Sequence, residues 1–134
     1  MTEQELRQHI DAIEHGPALV TEAAAGTDAN TLRFKPAPNK WCILEILGHL
    51  ADIKVLYGYR MRQMLADREP TIAPIDQDDW ARNLGYMEGS ASEFLATFQT
   101  ARRANVRLLR RLRMADLQKG LSTPRRGAKS PLKN

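Results

Sequence analysis

The chain has 134 residues, 27% of them charged, a formal net charge of +4 and one cysteine, Cys42. That length favours one domain with enough residues for an apolar core of its own. A single cysteine excludes an internal disulfide and a cysteine-built zinc site. No apolar run approaches a membrane span and the polar start MTEQELRQHI carries no secretory signal, so a cytoplasmic protein is expected.

Residues 3–25 read as a first helix, with Leu6, Ile10, Ile13, Pro17, Leu19, Val20 and Ala23 as its apolar positions. Gly16-Pro17 predicts a kink or break, because proline removes a backbone donor and crowds the preceding turn. Gly26 suits the stop. Residues 27–40 form a connector kept extended by Pro36 and Pro38, with Leu32 and Phe34 available to tuck under a bundle. Cys42 then falls at an N-cap with Glu45 three residues on; sulfur is a weaker acceptor than a hydroxyl, so this capping box is imperfect.

The second helix runs to about Asp67, stopped by Glu69-Pro70. Ile43, Ile46, Leu47, Leu50, Ile53, Tyr57, Met61, Met64 and Leu65 lay an apolar stripe along it. His49 sits at the margin of that stripe. Such a histidine is either a core residue with a satisfied hydrogen bond, the commoner case, or a ligand aimed at a cavity. Trp41 reads as a bundle-end packing residue, and Tyr57 and Tyr59 as structural.

After a proline-containing loop, Asp76 caps a short helix with Trp80 and Leu84 expected to face inward. A calcium loop there is rejected: the sixth-position glycine is missing, and the twelfth position is Met87 rather than glutamate. The third long helix is expected over residues 86–114, with Met87, Ala91, Phe94, Phe98, Ala101, Asn105, Leu108 and Leu112 along its seam. Asn105 in that seam needs a hydrogen-bond partner. Arg102, Arg103, Arg107, Arg110, Arg111 and Arg113 read as a solvated cationic face. A nucleic-acid site is disfavoured, since no aromatic residues interleave for base stacking.

From Gln118 the periodicity stops. Residues 1–100 hold 9 Lys/Arg against 15 Asp/Glu, a balance of −6; residues 101–134 hold 11 against one acid, Asp116, a balance of +10. The alkaline pI therefore reports the last quarter of the chain. The expected organisation is a helical domain over 1–120 and a disordered basic tail over 121–134.

Several motifs, taken together, resemble the DinB/YfiT-like family of helical-bundle proteins. They are Gly16-Pro17-Ala18-Leu19, the connector Phe34-Lys35-Pro36-Ala37-Pro38-Asn39-Lys40-Trp41, and Ile43-x-Glu45-Ile46-Leu47-Gly48-His49-Leu50-Ala51-Asp52 with Arg60. Asp76, Trp80 and Phe98-x-x-x-Arg102 complete the set, which covers about residues 5–120. The resemblance implies an all-α, up-down four-helix bundle, often a homodimer. Many members hold a divalent metal, zinc or nickel, through three histidines. Some are metal-dependent hydrolases or thiol-dependent transferases using bacillithiol or mycothiol, and others are maleylpyruvate isomerases.

The family's second-helix histidine maps onto His49, and its other two normally lie on a fourth helix as His-x-x-x-His. Here Leu121-Ser122-Thr123-Pro124-Arg125-Arg126-Gly127 stands where that turn and helix belong, and no histidine follows. A truncation or frame change would account for the switch, and the locus would then carry an out-of-frame His-x-x-x-His downstream.

A catalytic zinc site needs about three protein ligands and an open position. His49 supplies one; His9 and His15 are six apart on the first helix and point to different faces. Glu45 and Asp52 lie within a turn of His49, where carboxylates more often cap or pair. Cys42 gains from a helix N-terminus but has no identifiable general base.

Two functions follow. The first is a DinB-like metalloenzyme-family member with an incomplete metal site, binding zinc or nickel weakly or not at all through His49. The alternative is a non-catalytic helical module acting by dimerisation or through its basic C-terminal face. Three stripes designed for a four-helix core also leave an apolar groove open, which favours self-association, tail packing or marginal stability.

Overall fold

The computed structural model describes residues 1–113, the Pro17 side chain excepted. The boundary expected at 120 and the basic tail expected over 121–134 lie outside the described residues. The helices are α1 (Glu3–Ala24), α2 (Ala29–Arg33), α3 (Ile43–Ala66), α4 (Gln77–Asn83) and α5 (Ala91–Leu109), with a 3-10 turn at Tyr86–Glu88. Among the described residues there is no strand, and no helix is long and apolar enough to cross a membrane.

A reciprocal capping box starts α1. Thr2 Oγ accepts from the Glu5 amide at 3.1 Å, and Glu5 accepts from the Thr2 amide at 2.8 Å. The kink expected at Gly16-Pro17 does not break this helix, which runs on through Ala24. Proline has no amide hydrogen, so the Ile13 carbonyl loses its helical donor. Arg102 of α5 donates to that carbonyl instead, and no acceptor is orphaned. Gly16 leaves the space for it: a Cβ there would lie 2.8 Å from Arg102 Nη1.

α1 packs antiparallel on α5. At one end Arg7 donates to the carbonyls of Arg110 (3.2 Å) and Leu112 (3.3 Å), which α5 cannot satisfy within itself. At the other, the Gln99 amide donates to Thr21 Oγ at 2.7 Å. Between them Leu6 and Ile10 pack on Val106, joined by Ile13 and Leu109.

α3 and α5 run parallel. Gly48 near the start of α3 lies against Phe94, and Gly58 farther along lies against Asn105. A parallel pair requires the chain to travel back the length of α3. That helix is about 36 Å long at 1.5 Å per residue, and the ten extended residues 67–76 reach about 33 Å. Arg60 holds this return segment through the Ala73 carbonyl (2.6 Å) and Gln63 through the Thr71 carbonyl (3.3 Å). α4 is thereby delivered beside the start of α3, where the Trp41 indole donates to Asp78 at 3.2 Å.

The third long helix starts later and stops earlier than expected. Gly85 takes a left-handed conformation (φ +67°), the 3-10 turn follows, and Ser90 caps α5 by accepting from the Glu93 amide at 3.3 Å. Met87 therefore lies on the turn, not on the α5 seam. Leu19, Phe34 and Leu84, expected inside, are exposed, and Trp80 is half-buried. Asn105 is buried and satisfied: its amide donates to the Lys54 carbonyl and its oxygen accepts from Arg62, both at 3.0 Å.

The face of α3 that turns inward is not the one its large apolar residues predict. Leu44, Leu47, Gly48, Ala51 and Gly58 are buried toward the other helices. Of the predicted stripe, Leu47 and Ile53 are buried, whereas Ile43, Ile46, Tyr57 and Met64 are 36–47% exposed. The helix is apolar on two faces, and the packed one combines Leu44 and Leu47 with the small residues Gly48, Ala51 and Gly58. Glycine lets α5 approach: a Cβ at Gly48 would fall 2.7 Å from Tyr86 Cγ.

Candidate functional site

His49 lies near the start of α3, half-buried, with the Trp41 ring edge-on to it at 5.1 Å between centroids and 67° between planes. Its ring nitrogens meet no hydrogen-bond partner among the described residues, so the core-histidine reading lacks the bond it needs. Burial pushes its pKa below the ordinary 6.5, and the Asp52 charge only partly offsets this. The imidazole is thus held neutral, the form that carries a free lone pair.

Asp52, one turn on, accepts from the Tyr86 hydroxyl at 2.7 Å. Burial, reinforced by that bond and by the Asp52 charge, pushes the phenol well up, so it remains a protonated donor. The 3-10 turn that displaced the start of α5 is what places Tyr86 there. No sequence signal marked this pair, since Tyr86 fell at the first residue of an expected helix.

Glu45 does what a capping carboxylate does. It is buried, accepts from the Cys42 amide at 3.1 Å and pairs with Lys35 at 2.6 Å. Burial alone would raise its pKa; the Lys35 ammonium and the Cys42 amide outweigh that and hold it below the ordinary value. Both bonds fall on Oε1 and tie this carboxylate to the N-cap and to the connector. Cys42 is buried with its sulfur 3.3 Å from Met87 Sδ, a packing contact rather than an exposed nucleophile. Trp41 does more than fill the bundle end: it touches His49, ties down α4 and walls a cleft of about 440 Å³ with Lys35, Glu45, Asp78 and Arg82.

His9 and His15 are exposed on α1, and the His15 ring bonds the Asp11 carbonyl of its own helix at 2.7 Å. Among the described residues no group of three or more His, Cys, Asp or Glu could hold a metal. The donor set around His49 is one imidazole, with Asp52 bonded to Tyr86. That set does not by itself fit a three-ligand metal centre.

The family model of the DinB superfamily matches residues 12–133. A Bacillus cereus protein named "Putative metal-dependent hydrolase" is 25% identical over 127 residues, spanning 95% of this chain and 73% of its own. A Bacillus anthracis protein of the same name matches to the same extent. One from Geobacillus thermodenitrificans is 25% identical over 79 residues, 59% of this chain and 44% of its own. Among solved structures, YfiT from Bacillus subtilis, described as "a probable metal-dependent hydrolase with an unusual four-helix bundle topology", superposes with a TM-score of 0.80 at 22% identity. That match covers 87% of this chain and 66% of YfiT, and at this identity it bears on the fold alone.

Proposed function

The chain belongs to the DinB superfamily, and on that premise we propose that it is a metal-dependent-hydrolase-type bundle whose metal site is incomplete in these 134 residues. Its candidate ligand among the described residues is His49. The observation that carries this is the half-buried imidazole, held neutral and without a protein hydrogen-bond partner, beside a carboxylate already committed to Tyr86. A lone imidazole binds zinc or nickel weakly, because affinity rests on several donors closing around one ion. The contribution of this chain is positional: Trp41 fixes the His49 ring from one side, and Tyr86 keeps Asp52 from swinging onto it.

The test is metal content after purification without chelators, with zinc and nickel titrations of wild type and His49→Ala. Weak, substoichiometric binding lost in His49→Ala is expected. Tight stoichiometric binding overturns the incomplete site, and equal binding by both proteins overturns the role of His49.

A second reading rests on the exposed α3 face. Ile43, Ile46, Tyr57 and Met64 form an apolar surface that a second copy would cover about a two-fold axis, one stripe serving both chains. This supports a homodimeric, non-catalytic module. Sedimentation at rising concentration checks it, and a monomer throughout counts against it.

A further inference from the structure

A groove of about 610 Å³ runs between α1 and α5, on residues that the His49 reading does not use. It is lined by the buried Val106, the exposed Ala18, Arg102, Arg103, Arg107 and the Glu14 carboxylate. Two polar bridges stand at its ends, Gln99 to Thr21 at one and Arg110 to Asp11 and Glu14 at the other. Those bridges are eleven α5 residues apart, about 16 Å along the helix.

The charge in this groove is unbalanced. Of the four arginines lining it, Arg110 alone is paired with carboxylates among the described residues. Arg103 and Arg107 are exposed and stand one turn apart, where like charges repel. Arg103 makes a 3.4 Å contact to Thr100 Oγ, and Arg107 has no described partner. Arg102 spends Nη1 on the Ile13 carbonyl and stacks on Phe98 at 4.8 Å, yet its buried Nε has no acceptor. Guanidinium groups beside apolar side chains suit an oxyanion attached to an apolar body. The volume is that of a small-molecule site.

We propose that this groove binds a small amphiphilic oxyanion, a carboxylate or phosphate monoester on an apolar body. Arg103 and Arg107 hold the head group, while Val106 and Ala18 receive the body. This site is independent of His49 and of any metal.

Calorimetric titration of the full chain with octanoate, phenyl phosphate and inorganic phosphate tests it, using Arg103→Gln, Arg107→Gln and Arg111→Gln. Arg103 and Arg107 are exposed, so their variants should fold, and Arg111 lies outside the groove as the control. Saturable binding of at least one organic anion is expected, about tenfold weaker in Arg107→Gln and in Arg103→Gln and unchanged in Arg111→Gln. Inorganic phosphate should bind more weakly than the organic anions. Absence of saturable binding, equal binding by the groove variants and wild type, or phosphate binding as tight as the organic anions would overturn the proposal. So would a nucleic-acid duplex displacing the organic anion through Arg111 as strongly as through Arg107.

Discussion

The Arg102 guanidinium of α5 donates to the Ile13 carbonyl of α1, the one carbonyl that Pro17 leaves without a helical donor. Two short motifs 80 residues apart, Gly16-Pro17 and Phe98-x-x-x-Arg102, are thereby parts of one contact. Proline removes the competing amide, glycine clears the approach, and Phe98 supports the guanidinium from below at 4.8 Å.

This contact predicts coupling. Arg102→Met should cost about 2 kcal/mol, because it removes a charged donor and leaves a part-buried carbonyl unbonded. In a Pro17→Ala background the restored amide can reach the Ile13 carbonyl, so the same substitution should cost clearly less. Urea unfolding of the four proteins in the cycle measures the difference; additive effects would show that Arg102 is not acting on that carbonyl.

Close packing of α3 is expected to be intolerant of a single methyl. Gly48→Ala places a Cβ 2.7–2.8 Å from the Tyr86 ring and 3.2 Å from Phe94. Overpacking of this kind costs about 1–3 kcal/mol. Because Tyr86 must shift, its bond to Asp52 should weaken as well. Thermal melts report the first effect, and a fall in the Tyr86 pKa by ultraviolet titration reports the second.

Stability should fall on mild acidification, and His49 should be one cause. Its pKa in the fold lies below the ordinary 6.5 through burial, partly offset by Asp52. As pH drops through 6.5, the unfolded chain takes up the proton first, so the folded state loses ground until its own imidazole is protonated. Above that range the effect vanishes. Glu45 acts lower down: burial raises its pKa, but Lys35 and the Cys42 amide hold it below 4.5. Its stabilisation is present above 4.5 and is lost as pH falls through the folded value. Denaturant midpoints across pH should therefore flatten just below 6.5 in His49→Asn, and only in the lower range in Glu45→Gln.

The three long helices were legible in the chain itself, and so were the limits of α1 and α3, because apolar spacing, Gly26 and Pro70 act within a few residues of where they stand; α5 is shorter at both ends than its spacing suggests. The capping role of Glu45 and the partner that Asn105 requires were legible for the same reason. The Thr2-x-x-Glu5 box carried its signal in plain sight. The side of α3 that turns inward was not legible. Large side chains define the Ile43–Ile46–Tyr57–Met64 face, but helices approach closest over small ones, and Gly48, Ala51 and Gly58 weigh little in any hydrophobic pattern. Nor could local sequence place Tyr86 on Asp52 or Arg102 on Ile13, since each contact needs two distant segments held at a fixed separation. Local free energies decide whether a segment coils; only the joint packing of α1, α3 and α5 decides what each coil faces, and so where His49 and the arginine-lined groove lie.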